Sequence, residues 1–141
     1  MRQRRLPGAP RPVEDTVVSP IPVIFIDTSD SFRRLVARLL ERHFAADIVL
    51  AGDYSGWPVT GARPNPSPQA VLLGLGSNGL VDPQLLATLR HELPEAPVVV
   101  LGHLDDAPYR EAALAAGAAA FVAKDTLDTT LVPTLRQVVA P

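Results

Sequence analysis

Five short apolar runs recur along the chain, at residues 23–26, 48–51, 70–73, 98–101 and 119–123. Each is too short for a buried helix and is bounded by polar or turn-forming residues, so each reads as a buried strand. Amphipathic segments lie between most of them. After the first run, Asp30 is placed as an N-cap, and Phe32, Leu35, Val36, Leu39 and Leu40 recur at helical spacing. That stripe is expected to face a core and to leave Arg33, Arg34, Arg38, Glu41 and Arg42 in water. Asp82 followed by Pro83 is a helix start, an N-cap and an N1 proline, for a helix running through Leu93. Residues 106–116 read as a helix closed by Gly117. A last helix is expected over about 128–139, starting late or bending at Pro133.

Short strands alternating with helices imply a parallel sheet covered on both faces. The reading is therefore an α/β domain, a flavodoxin-like doubly wound sheet of five parallel strands in the order 2-1-3-4-5. In such sheets ligands gather at the carboxyl ends of the strands. One helix is missing from the alternation. Pro58, Pro64, Pro66 and Pro68 fall where the second helix would lie, and a proline-rich loop is expected to replace it. Residues 1–20 carry four prolines and four arginines and read as a disordered basic arm, leaving 21–141 as the folded domain.

Composition narrows the function. The 141 residues suit one domain, and 47% apolar with 20% charged residues suits a globular one. No cysteine is present, which removes disulfides, thiolate metal sites and a cysteine nucleophile. The net charge of −2 gives no reason to expect nucleic-acid binding. No apolar run approaches a membrane span, and the N-terminus lacks a signal-peptide core, so a cytoplasmic protein is expected.

The strand ends carry a pattern. Ile24-Phe25-Ile26-Asp27-Thr28-Ser29-Asp30-Ser31-Phe32-Arg33 is similar to an opening strand and helix. Pro97-Val98-Val99-Val100-Leu101 followed by His103-Leu104-Asp105-Asp106 is similar to a fourth strand and acidic loop. Ala112-Ala113-Leu114-Ala115-Ala116-Gly117-Ala118 with Phe121-Val122-Ala123-Lys124-Asp125 is the most specific piece. In this order and spacing the chain resembles the receiver domain of two-component response regulators over about residues 21–139. The resemblance implies a phosphorelay signalling module. It also implies a pocket in which two acids after the first strand and an aspartate after the third hold Mg²⁺. The third-strand aspartate accepts the phosphoryl group, and a hydroxyl residue and a lysine contact its oxygens.

Here that pocket is degenerate. Asp27 supplies the first acid, but the second position is Thr28, the acceptor position is Gly74 and the hydroxyl position is Gly102. Lys124 remains, and Phe121 fits the aromatic that couples to the hydroxyl residue. Glycine has no side chain to phosphorylate, so the usual acceptance is chemically excluded at Gly74. With one carboxylate of three left, Mg²⁺ binding is expected to be lost or weak, and no other cofactor or metal is expected. Asp27 and Lys124 are expected to pair. The plainer reading of that pair is two buried charges satisfying each other; the functional one is a pair that fixes a single conformation.

Receivers act through the face of the fourth helix, fifth strand and fifth helix. Here that face is residues 106–116, 119–123 and 128–139, with Tyr109, Arg110, Asp128 and Arg136 on its surface. The sequence stops at Pro141, so no output domain is expected. The resulting expectation is a phosphorylation-independent interaction module, not an enzyme, binding a histidine kinase, another regulator or itself. An alternative uses Gly74, Gly76 and Gly79, which match G-x-G-x-x-G, as an anion or nucleotide-like sensor loop. Against it, the motif follows the third strand, and the helix starts at Asp82, too late for its N-terminus to meet a pyrophosphate. His43, His91 and His103 give no ligand spacing. Asp105 and Asp106 are read as caps of the following helix.

Overall fold

The strand residues alternate between two apolar faces, and that alternation organises the molecule. In a computed structural model, described here for residues 19–57, 67–75, 80–103 and 106–139, five parallel strands form one sheet in the order β2-β1-β3-β4-β5. The strands are β1 (Ile21–Ile26), β2 (Ile48–Tyr54), β3 (Ala70–Gly74), β4 (Val98–Gly102) and β5 (Ala120–Ala123). The helices are α1 (Asp30–His43), α2 (Pro83–Glu92), α3 (Ala107–Ala115) and α4 (Leu127–Val138), the last entered through a 3-10 turn, Lys124–Thr126. Both the fold class and the strand order are those expected from the sequence.

Val23, Phe25, Leu72, Val99, Leu101 and Val122 point to one side and pack with Val36 and Leu40 of α1 and with Leu127, Leu131 and Leu135 of α4. Ile24, Ile26, Val71, Leu73, Val98 and Val100 point to the other, against Leu86 and Leu89 of α2 and Ala113 of α3. Burial on both faces explains why the central strands read as continuous apolar runs.

Several boundaries differ from expectation. β2 continues past residue 51 to Tyr54 because β1 carries it: a register shift at Val23/Ile24 puts Leu50 opposite Val23 and Gly52 opposite Ile24. Ala51 is the extra residue of a bulge, so the poor strand formers Gly52 and Asp53 stay in the ladder. Ser29, not Asp30, caps α1; its hydroxyl accepts from the Phe32 N–H at 3.1 Å. Leu35 is 63% exposed and does not belong to the buried stripe, whereas Arg33, read as a wet-side residue, keeps only 15% of its side chain exposed. Asp106 holds the N-cap position of α3 without a side-chain cap bond. Asp105 lies outside the described residues, and α3 ends one residue earlier than read. α4 begins at Leu127 and runs on past Pro133 rather than starting late.

Other signals hold at the level of single bonds. Asp82 caps α2 by accepting from the Gln84 N–H at 2.9 Å. Gly117 has φ +115°, and the N–H groups of Gly117 and Ala118 donate back to Leu114 and Ala113, which makes the paired C-terminal motif that needs a left-handed residue.

Among the described residues between β2 and β3 there is no helix. Pro58, Pro64 and Pro66 lie outside them, as do residues 1–18 of the arm. At the start of this connection Tyr54 and Trp57 meet edge to face at 5.7 Å and join the second apolar cluster. The Trp57 Nε1–H donates to Glu92 Oε1 at the end of α2, 3.2 Å away.

Candidate functional site

Register brings the strand ends together. Ile26 pairs with Leu73, Gly74 with Leu101 and Gly102 with Ala123, so Asp27, Gly74, Gly102 and Lys124 emerge side by side along the carboxyl edge. Thr28 is exposed beside them.

Asp27 is the one buried charged or polar residue among those described, at 3% exposure. Such a carboxylate needs partners, because an unpaired buried charge is costly. Its Oδ1 accepts from the Ser29 N–H at 2.8 Å, and its Oδ2 faces Lys124 Nζ at 3.5 Å. Lys124 Nζ also lies 4.1 Å from the centre of the Phe32 ring, a cation–π contact that keeps the ammonium over the mouth of the sheet.

The position of that carboxylate depends on Gly74. A Cβ placed on Gly74 would sit 2.6 Å from Asp27 Cγ and closer still to Oδ2. Asp27 therefore occupies the space into which any side chain at position 74 would project. Gly102 repeats the arrangement: a Cβ there would sit 2.7 Å from Phe121 Cε2 and closer to Cζ. The Phe121 ring, 9% exposed, fills the space beside Gly102, and the Arg110 guanidinium lies 5.6 Å from its centre. Arg110 is thus half-buried over an aromatic ring rather than wholly presented at the surface as the sequence suggested.

Arg33 belongs to this site and was missed in the sequence. Its Nη1 donates to the backbone carbonyl of Asp27 at 2.6 Å, and its Nη2 pairs with Asp30. One helical turn between Asp30 and Arg33, directly after a strand end, was the available signal. It reads equally well as a surface ion pair, and only the fold shows that the guanidinium turns inward.

The described residues do not assemble a ligand set for a divalent cation. Hard cations take several oxygen ligands, and Asp27, the one buried carboxylate among the described residues, has both oxygens engaged. Among the described residues no three His, Asp or Glu side chains cluster to hold a metal. His103 is exposed, and His43 and His91 are exposed at helix ends far along the chain from it. Gly76 and Gly79 of the glycine loop lie outside the described residues.

Known structures share this fold. The fold is that of a receiver domain. A DNA-binding response regulator of the LuxR family from Staphylococcus aureus superposes with a TM-score of 0.62 at 19% identity, covering 84% of this chain and 98% of that one. The NarL signal receiver domain from Mycobacterium tuberculosis gives 0.63 at 23% identity, covering 85% and 96%. The isolated receiver domain of RcsB from Salmonella enterica serovar Typhimurium, with phosphomimetic BeF3−, gives 0.60 at 13% identity, covering 87% and 93%. No family model matches the sequence, and no curated protein matches it.

Proposed function

We propose that this chain is a receiver-like signalling module of the two-component or phosphorelay kind that takes no phosphoryl group at position 74 and works through contacts with other proteins. One observation carries the reading: the Asp27 carboxylate lies in the space above Gly74 and faces Lys124. In a working receiver the lysine meets an acceptor carboxylate and then its phosphoryl oxygens. Here the lysine's partner is a fixed internal carboxylate, so a single charge state replaces a switch between two. Mg²⁺ has no role in this proposal, and neither does catalysis. The partner is a histidine kinase, another regulator or a second copy, reached through α3, β5 and α4, where Tyr109 is 40% and Leu114 43% exposed.

Phos-tag electrophoresis after incubation with acetyl phosphate and Mg²⁺ tests the reading. The natural chain is expected to stay unmodified. Gly74→Asp alone is expected to label poorly, since no second metal acid is present. Gly74→Asp/Thr28→Asp is expected to gain an acid-labile, alkali-labile label. Mg²⁺-dependent labelling of the natural chain would overturn the proposal and point to another acceptor.

A further inference from the structure

The amino edge of the sheet, opposite Asp27 and Lys124, holds a cleft. Parallel topology returns each helix to this edge, so α2 and α3 both end here, beside the start of β4. The space between them is open and measures about 490 Å³, within the roughly 300–1,000 Å³ of small-molecule sites. Leu93, Pro94, Pro97 and Val98 supply apolar walls, and Arg90 and His91 of α2 supply polar side chains.

Small residues keep the cleft open. Gly117 has φ +115°, so a side chain could fill that wall only with backbone strain. Ala87 of α2 and Ala119 before β5 add only methyl groups. Backbone bonds tie the walls down. The Ala119 N–H donates to the Val98 carbonyl at 2.8 Å, the Ala96 N–H to the Leu93 carbonyl at 3.0 Å, and the Val71 N–H to the Pro97 carbonyl at 2.9 Å. The concavity is therefore built into the backbone and does not wait on a side-chain rotation.

Arg90 is aimed at this space. A Cβ on Gly117 would come 2.6 Å from its Nη1 and 3.4 Å from its Cζ, so the guanidinium lies over the bare backbone of Gly117. Neither Arg90 nor His91 makes a hydrogen bond or ion pair from its side chain among the described residues. Glu92, next along the helix, is turned to Trp57, and Glu95 does not line the cleft. A basic last turn suits the dipole of α2. The dipole accounts for the sign of the charge, but not for a guanidinium set at the rim of a cleft.

We infer that this cleft binds a small organic monocarboxylate, its carboxylate paired with the fork of Arg90 and its apolar body against Leu93, Pro94 and Val98. One guanidinium with no facing carboxylate sets the sign of the headgroup. The ends of α2 and α3 limit its charge, because helix C-termini carry negative partial charge and repel a phosphate dianion more than a single carboxylate. The apolar walls call for a body that buries surface, which a bare inorganic anion lacks. The inference does not depend on the chemistry at position 74, which belongs to the other edge of the sheet.

The test is an amide proton–nitrogen NMR titration of the full chain with 1-naphthoate, run beside the neutral 1-naphthamide. Saturable shifts centred on the N–H signals of Arg90, Gly117 and Ala119 are expected, with a Kd of about 1 mM or tighter for 1-naphthoate. Replacing the carboxylate by the amide is expected to weaken binding about tenfold, and so is Arg90→Gln. Ala87→Leu is expected to fill the cleft and weaken binding to a similar extent. Position 87 is exposed and leucine is a good helix former, so signals away from the cleft should keep their places. No saturable shift at these amides, equal binding of amide and carboxylate, unchanged binding by Arg90→Gln or Ala87→Leu, or shifts centred on other residues would each overturn the inference. Labelling of the Gly74 variants reads the other edge of the sheet, so the two proposals fail separately.

Discussion

Asp27 sits at 3% exposure with its charge answered by one N–H and one ammonium. Removing one partner of a buried pair costs more than removing both, because the survivor keeps its desolvation penalty. Lys124→Met is therefore expected to destabilise the fold by about 3 kcal/mol. Asp27→Asn/Lys124→Met is expected to recover more than half of that loss, and urea unfolding of the single and double variants measures the coupling. The sequence placed both residues, because each follows an apolar run at a strand end. It could not place the carboxylate above Gly74, since that depends on a side-chain direction set by the neighbouring strand. Arg33 shows the same gap from the other side: periodicity assigns it to water, and a carbonyl at the end of β1 draws it in.

At the scale of elements, apolar runs located every strand, and cap chemistry located the start of α2 at Asp82 and the stop after α3 at Gly117. The misses fall where tertiary pairing overrides local preference. β2 runs through Gly52 and Asp53 because β1 offers a ladder to them. Tyr54 then lies back over Gly52, where a Cβ would come 2.8 Å from the ring carbon Cζ. The contact between β4 and β5 follows the same rule of a glycine making room for a ring. Gly102→Ala is expected to cost about 1–3 kcal/mol by overpacking against Phe121. Phe121→Leu alone is expected to destabilise by about 1–2 kcal/mol through the space it leaves. Together they should cost less than the sum by about 1 kcal/mol or more, seen as a partial recovery of the urea midpoint. Additive costs would mean that the ring does not depend on the space beside Gly102.

For the whole molecule, the alternation of runs and amphipathic segments was enough to give a doubly wound sheet, because few other arrangements bury strands on both faces. An expected break in that alternation was legible from prolines between β2 and β3, where no helix stands among the described residues. What covers the sheet there was not: Tyr54 and Trp57 meet over the second apolar cluster, and Trp57 ties to Glu92 of α2. No single residue in that stretch announces this, since an isolated tryptophan in a loop has no periodicity to read. Across the described residues no helix is long and apolar enough to cross a membrane.

Lys124, held between Asp27 and the Phe32 ring with 14% of its side chain exposed, is also the chain's one lysine. Apart from the N-terminus, every amine-directed reagent therefore has a single target, and that target lies under the strand ends. Acylation of Lys124 by an N-hydroxysuccinimide ester is a clock for opening of this mouth, read by mass spectrometry as one added group. The expected course is slow acylation in the native chain and at least about tenfold faster acylation in Asp27→Asn, where the ammonium loses its anchor. A partner that seats on the carboxyl edge should stop the clock, and one that seats on the far ends of the strands should leave it running.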